Sequence, residues 1–380
     1  MNAQDIISFC KKNYGSHPLV IFSPGRLNLI GEHTDYNEGF VFPAAIDKGI
    51  YAAFEKSGSQ ACTIHALDLN ETMEFSLEQI NPLDGGGWKN YILGVVSEIQ
   101  NRTKRLVPFN LVFGGNVPLG AGLSSSAALE NAVAYGLNEL LDLGFTKNEM
   151  ILISQKAEHN FVGVKCGIMD QFASMFGEKD KALLLDCRTI TAEPFTIDLH
   201  DHQILLVNTN VKHSLSDSAY NKRREVCEKV ASLLNVKALR DLKTSDLNTI
   251  KDKISKEAYQ MALYVIEENE RVLRAGQAIK NNDIRELGQL LYQSHKGLQY
   301  QYKVSCEELD FLVETAKSNI NVRGARMMGG GFGGCTINIV QKDAVASFKD
   351  QVSKSYREKF NFECSVYKVE LSDGTGKYMS

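Results

Sequence analysis

A chain of 380 residues, 43% hydrophobic and 23% charged, has room for two domains of about 150 residues each, and its near-average composition excludes disorder, collagen-like repeats and low-complexity tracts. With 42 basic against 46 acidic residues the net charge is −4, so no global field draws the chain to nucleic acid or to an anionic membrane. Eight cysteines, from Cys10 to Cys364, form no C-x-x-C pair and eight histidines form no H-E-x-x-H, which predicts reduced thiols and removes the usual zinc spacings.

The amino terminus, Met1 to Lys12, carries Asp5 and lacks a basic stretch followed by an apolar run, so no secretory leader is expected. No segment reaches the roughly 18 to 20 apolar residues that cross a bilayer, and a cytoplasmic location is expected.

In chain order, Leu19 to Ser23 is apolar and β-prone and runs into Pro24-Gly25, which predicts a strand ending in a turn. A second short strand is predicted over Phe40 to Pro43. Between them, Asn28 to Asn37 is dense in hydrogen-bonding side chains and has no apolar period. It reads as a loop or one-turn helix at a surface cleft, a kind of segment that often carries function. Strands follow at Tyr51 to Phe54 and Phe109 to Phe113. From Ser124 a helix is predicted, because Leu129, Val133, Leu137 and Leu141 recur every four residues and serines supply an amino-terminal cap. A further helix is predicted over Lys147 to Phe161, then strands at Leu183 to Leu185 and Gln203 to Val207. The domain boundary is expected near residue 190, beside the Pro194-containing segment, dividing the chain into 1–190 and 191–380. The second half holds longer helical patterns, at Ser218 to Leu234, Ser255 to Ile279 and Cys306 to Lys317, and closes on strands at Cys335 to Val340 and Val366 to Leu371. No repeat of about 20 to 50 residues is visible. The mixture predicts two α/β layers with a cleft between them.

Chemistry concentrates in three places. In Pro118-Leu-Gly-Ala-Gly-Leu-Ser-Ser-Ser-Ala-Ala128, glycines after a strand allow close backbone approach, and the helix that follows turns free N–H groups and its positive dipole end toward an anion such as nucleotide phosphates. The same residues equally suit a tight strand-to-helix turn with a serine cap. No G-x-x-x-x-G-K-[ST] occurs, nor H-R-D with D-F-G, so this is neither a Walker A loop nor a protein kinase. Met327 to Gly334 matches G-x-G-x-x-G by letter, yet it lies before a strand near the carboxyl end, with too little chain after it for a dinucleotide fold. Its glycines still imply close approach by a backbone or a ligand.

Arg26, Glu32, His33 and Asp35 fall within ten residues. Carboxylates accept hydroxyl hydrogen bonds and imidazole donates or accepts, so the set suits a polyhydroxylated ligand whose wrong epimer would leave partners unpaired. A solvated loop of ion pairs is the other reading. Finally, Glu158-His159 and Gly167-Ile-Met-Asp-Gln171 offer a carboxylate, Asp170, to take or orient a hydroxyl proton beside Arg26, and Glu158 as a hard oxygen ligand for Mg²⁺. An aspartate near a glycine also serves as a turn or helix cap.

Together these segments resemble the GHMP kinase superfamily and, within it, the galactokinase family. The resemblance rests on Gly25-Arg-Leu-Asn-Leu-Ile-Gly-Glu-His-Thr-Asp-Tyr-Asn37, on Pro118 to Glu130 as the phosphate-binding motif, and on Met328 to Cys335 as the third glycine motif, and it spans residues 19 to about 340. It implies an α+β fold of two domains, each a mixed sheet with helices, and an active site in the cleft between them. It also implies ATP-dependent phosphorylation of the O1 hydroxyl of α-D-galactose, the first committed step of galactose catabolism. By the resemblance Asp170 is the base and Arg26 orients it; Glu32, His33, Asp35, Gly167 and Tyr220 hold the sugar. The backbone of Gly120, Gly122, Leu123, Ser124, Ser125 and Ser126 cradles phosphates, Ser126 and Glu158 coordinate Mg²⁺, and Trp88 and Tyr91 lie near the adenine. The implied partners are galactose and Mg-ATP, with no nucleic acid or membrane; the sequence is silent on oligomeric state, a monomer included.

Two segments depart from the family pattern. Lys212 stands where many relatives carry arginine, and Lys296-Gly-Leu-Gln-Tyr-Gln-Tyr302 replaces the usual S-L-R-D after Ser294-His295, a stretch to which the sequence assigns no contact. The alternatives are a kinase for a related sugar, such as N-acetylgalactosamine or arabinose, and a non-catalytic sensor of galactose and ATP. The intact Ser124-Ser-Ser-Ala-Ala128 run argues against the sensor.

Overall fold

The computed structural model describes residues 1–15, 17–118, 120–211 and 216–378; Lys212 lies outside them. The first third of the chain supplies α1 (Ala3–Tyr14), β1 (Leu19–Asn28), β2 (Phe40–Val41), β3 (Pro43–Lys56), β4 (Cys62–Ala66), β5 (Glu71–Phe75), α2 (Trp88–Gln100) and β6 (Phe109–Gly115). Next come α3 (Ser125–Leu141), α4 (Lys147–Ala157), α5 (Met169–Phe176), β7 (Lys181–Asp186), β8 (Thr191–Thr196) and β9 (His202–Asn208). The remainder adds α6 (Ser216–Leu233), α7 (Thr244–Asn248), α8 (Lys256–Lys280), α9 (Ile284–Gly297) and α10 (Glu307–Lys317), then β10 (Val322–Met327), β11 (Cys335–Gln341), α11 (Val345–Phe360), β12 (Ser365–Lys368) and β13 (Gly376–Lys377).

These elements build a two-domain α+β architecture. A six-stranded sheet runs β13-β1-β3-β6-β4-β5, with β4 parallel to β6 and its other pairs antiparallel, and a four-stranded antiparallel sheet runs β10-β11-β9-β12. A third sheet, β2-β7-β8, pairs the short strand between β1 and β3 with the β7-β8 hairpin that precedes β9, and residue 190 sits in the turn from β7 to β8. The chain end returns to the first sheet, where β13 pairs with β1. Among the described residues no helix is long and apolar enough to cross a membrane, and the eight cysteines are free thiols.

The four-residue apolar period of α3 does what its spacing requires: Leu129, Val133 and Leu137 are buried in one core with Phe54, Ile64 and Leu111 of the first sheet and Ile92 and Val96 of α2. Each such side chain, fully removed from water, contributes on the order of 1.5–3 kcal/mol. A second core joins the two halves, since Leu27, Ile30 and Phe42 pack with Leu206, Val272 and Ile337. The polar segment after β1 is therefore anchored from both sides.

The sequence expectations need three corrections here. The predicted turn at Pro24-Gly25 is a bulge, and β1 continues to Asn28. A Cβ on Gly25 would stand 2.6 Å from the Leu123 carbonyl oxygen, so glycine lets the strand pass under the phosphate-motif loop instead of turning away. The segment expected as a loop or one-turn helix at a cleft is a loop with one 3₁₀ turn, Asp35–Asn37, and Glu32, His33 and Asp35 line a cavity; Leu29 to Thr34 is largely buried beside it, where Glu268 accepts from the Gly31 amide at 3.1 Å. The strand predicted over Phe40 to Pro43 is two strands in different sheets. The helix predicted to Phe161 ends at Ala157 and gives way to one π turn, Glu158–Val162, a geometry often found beside functional sites.

Candidate active site

β1 delivers Arg26 to the interior with 4% of its side chain exposed. Its guanidinium meets Asp170, in the first turn of α5, at two points: Nε to Oδ1 at 2.8 Å and Nη2 to Oδ2 at 2.9 Å. Nη1 donates to the Gly122 carbonyl at 2.5 Å. Only a planar fork can make all three bonds. Ser124 Oγ donates to Asp170 Oδ2 as well. Among the described residues Oδ2 thus accepts twice and Oδ1 once, which leaves Oδ1 a lone pair for an incoming hydroxyl.

The serine expected to cap α3 is therefore committed elsewhere. Ser124 precedes the helix with φ 56° and ψ 51°, a left-handed backbone, and makes no capping bond. The first turn of α3, at Ser125 and Ser126, keeps amide N–H groups without a side-chain cap and turns them toward a cavity of about 350 Å³. Gly120, Gly122, Leu123, Ser124, Ser125 and Ser126 all line it, with Tyr91 from α2 and Gly329 to Gly331 opposite.

A smaller cavity of about 120 Å³ adjoins it, and Arg26, Glu158, Val164, Asp170, Tyr220, Gly329 and Gly330 line both. Glu32, His33, Asp35 and Gly167, with Cys166 and Met169, complete the smaller one. The structure thus gathers every sugar-binding candidate of the sequence at one place. Several of these groups are already tied to the protein. Glu32 Oε1 accepts from Arg326 at 3.0 Å and from the Gly329 amide at 2.8 Å. His33 Nδ1 faces Tyr36 Oη at 2.7 Å and Nε2 faces the Gly330 carbonyl at 3.2 Å. Burial, with the charge of Arg223 adding to it, pushes the His33 imidazole down to about 3, so the ring is neutral near pH 7.

Asp35 lies against Gly167, and burial together with the neighbouring Asp170 charge pushes its carboxyl up to about 7. Between its ordinary value and about 7 the folded protein holds a proton that the unfolded chain has released. This group's contribution to stability is thus greatest at low pH and declines as pH rises through about 7. A polyol hydroxyl donating to the carboxylate is expected to bind more tightly as pH rises from about 6 to about 8, and Asp35→Asn to flatten that limb. Sugar KM against pH, wild type beside variant, is the check; parallel profiles would refute it.

Trp88 is not brought to either cavity. Its indole packs edge-on against Phe113 and donates to Glu71 at 3.0 Å, and of the expected aromatic pair Tyr91 alone lines the larger cavity. Glu158, set by the π turn, accepts from Gln171 at 2.9 Å and from the Cys166 thiol at 3.5 Å and borders both cavities. Behind it, burial and the Glu158 charge hold the Glu130 carboxyl well above the usual range. Among the described residues no cluster of three or more His, Cys, Asp or Glu forms a metal cage. One carboxylate and the Ser126 hydroxyl on the wall of a polyphosphate-sized cavity nevertheless fit Mg²⁺, which takes its other oxygens from phosphate and water.

Two residues of this site escaped the sequence reading. Arg326, fully buried, fixes Glu32, and Gln171 links Glu158 to Glu130 through one amide nitrogen, at 2.9 and 3.3 Å. An arginine inside the apolar run that enters the third glycine motif was the available signal for the first; the second had none.

A helix start without a side-chain cap beside a smaller, carboxylate-lined cavity suits a small-molecule kinase. Family profiles agree: "GHMP kinases N terminal domain" matches residues 90–178, "GHMP kinases C terminal" matches 277–358, and "Galactokinase galactose-binding signature" matches 9–56. A galactokinase of Thermotoga neapolitana is 43% identical over 93% of this chain and 99% of its own. The crystal structure of Lactococcus lactis galactokinase complexed with galactose superposes with a TM-score of 0.94 at 34% identity, covering 99% of both chains. Methanococcus jannaschii mevalonate kinase shares the fold, with a TM-score of 0.64 at 18% identity over 95% of this chain and 100% of that one. The chain belongs to the galactokinase family of GHMP kinases. It is an ATP-dependent sugar kinase.

Proposed function

We propose that the protein transfers the γ-phosphoryl group of ATP to the O1 hydroxyl of α-D-galactose, giving ADP and galactose 1-phosphate. The observation that carries this reading is the position of Asp170 on the wall shared by the two cavities, with Oδ1 available and its other contacts fixed by Arg26 and Ser124. The smaller cavity takes the sugar and the larger one the nucleotide. Arg26 and Ser124 hold the Asp170 carboxylate so that Oδ1 accepts the O1 proton as the new O–P bond forms and the bond to the leaving ADP oxygen breaks. The uncapped N–H groups of α3 hold phosphate oxygens along that line. Ser126 and Glu158 would hold Mg²⁺, whose chemistry there is to neutralise charge on the phosphates. Because Trp88 packs away from the cavity, Tyr91 is the aromatic side chain for the base.

The same reading divides the chain near residue 190, the last strand returning to the first half, and sets the enzyme in the cytoplasm. ADP release with Mg-ATP across galactose, glucose, N-acetylgalactosamine, arabinose and mevalonate tests it. Turnover on galactose far above the rest is expected. Preference for another sugar would overturn the substrate, and sugar and nucleotide binding without turnover would overturn the reaction.

A further inference from the structure

The segment Lys296 to Tyr302, which departs from the family pattern, ends in a π turn over Leu298–Tyr302. That turn drives Tyr302 into the protein, where it is fully buried and packs 4.8 Å, centroid to centroid, from the His33 ring. Its hydroxyl lies 2.7 Å from Tyr36 Oη and 3.3 Å from Cys227 Sγ on α6.

The proton positions along this line follow from its end point. The Gly330 carbonyl can only accept, so the neutral His33 ring carries its hydrogen on Nε2, and Nδ1 must accept. Tyr36 therefore spends its one hydroxyl proton on Nδ1 and must itself be the acceptor toward Tyr302. Tyr302 donates to Tyr36 and accepts from Cys227, whose thiol burial pushes up to about 11, so that it keeps its hydrogen near pH 7. From Tyr302 through Tyr36 and His33 to Gly330 the chain is directed, each hydrogen having one consistent place, and Cys227, which also meets the Asn37 side chain, stands at its far end.

The chain just after this segment grips the third glycine motif directly. The Val304 carbonyl accepts from the Phe332 amide at 2.7 Å, and it lies where a Cβ on Gly331, at φ 89°, would stand. On the other side Arg223 of α6 donates to the carbonyls of Tyr302 and Lys303 at 3.1 and 3.0 Å. One stretch of backbone thus sets both the imidazole on the sugar side and the glycine loop bordering both cavities.

We propose that Tyr302 is a positioning residue of the sugar pocket, acting through Tyr36 to hold the His33 ring in place, and so governs sugar affinity rather than turnover. The inference rests on the smaller cavity being the sugar site.

Tyr302→Phe removes one oxygen and keeps the ring. Its sugar KM is expected to rise about 3- to 10-fold, with kcat and the KM for ATP within about twofold of wild type. Tyr36→Phe should do the same, and the double variant should add nothing to Tyr36→Phe, since both cut one chain. The ¹⁵N resonance of His33 Nδ1, read without sugar, should move in Tyr302→Phe. An unchanged sugar KM, a loss confined to kcat, additive effects in the double variant, or an unmoved resonance would each overturn the proposal. If Tyr302→Phe proves unstable, Cys227→Ala is expected to raise the sugar KM by about twofold and Cys227→Ser, which keeps a donor, to restore it; equal behaviour of the two would overturn it. A wild type inactive on galactose would sink the substrate assignment alone, because the resonance test needs no substrate.

Discussion

Replacing Asp170 with asparagine is expected to lower kcat by about 10²- to 10⁴-fold, the usual worth of a positioned general base. The substitution keeps the shape and removes the capacity to take a proton. It also turns an amide N–H₂ toward a site built of donors: Arg26 Nε on one oxygen, Arg26 Nη2 and Ser124 Oγ on the other. Whichever way the amide rotates, one donor of Arg26 meets another donor, and Arg26 is too buried to find water instead. Some loss of thermal stability should therefore accompany the loss of rate. Single-turnover ADP formation, the sugar KM and the unfolding midpoint separate these effects. A proton-accepting role requires the fall to appear in kcat, with sugar affinity moving far less. Turnover within tenfold of wild type in a folded variant would remove Asp170 from the role of base.

How much of this was readable beforehand depends on the distance over which each feature is decided. The α3 stripe, Leu129, Val133 and Leu137, is local, and the structure buries it as the four-residue spacing requires. The long helix expected over Ser255 to Ile279 is α8, Lys256–Lys280, for the same reason. Ser124 marks where local reasoning fails. A serine before an apolar helix reads as a cap, but Asp170, 46 positions later, competes for the same hydroxyl and wins it, because a hydrogen bond to an ionised carboxylate is stronger than one to a neutral helix-end amide. The segment Asn28 to Asn37 shows a related limit. Its composition leaves a polyol-binding set and a solvated loop of ion pairs both open, and its burial is decided by Glu268, Arg326 and Gly330, partners from more than 200 residues away. Burial of polar groups is legible only once those partners are known. Neither the Glu158–Val162 nor the Leu298–Tyr302 π turn has any local periodicity to announce it.

Arg326→Met is expected to be the most destabilising single change at the site, by about 3–5 kcal/mol, the cost of removing one partner from a buried ion pair. Arg326 has no exposed side-chain surface. Its guanidinium donates from Nε to the Leu29 carbonyl at 2.7 Å, from Nη1 to Met327 at 2.6 Å, and from Nη2 to Asn28 at 2.5 Å and to Glu32 Oε1 at 3.0 Å. Methionine fills much of the volume and satisfies none of these four acceptors, three of which are backbone carbonyls that cannot move without unseating β1, the segment after it or the end of β10. Chemical denaturation gives the size of the loss. The pairing argument makes a second demand: adding Glu32→Gln to Arg326→Met should recover part of the stability, since it removes the stranded carboxylate. It should not recover sugar binding, because the glutamine amide cannot reproduce a carboxylate that accepts from the Gly329 amide and still faces the smaller cavity. Partial rescue of folding without rescue of sugar affinity would assign Arg326 to holding the sugar pocket in shape. If the double variant were no more stable than Arg326→Met alone, the loss would belong to the three carbonyls and the Glu32 pair would count for little.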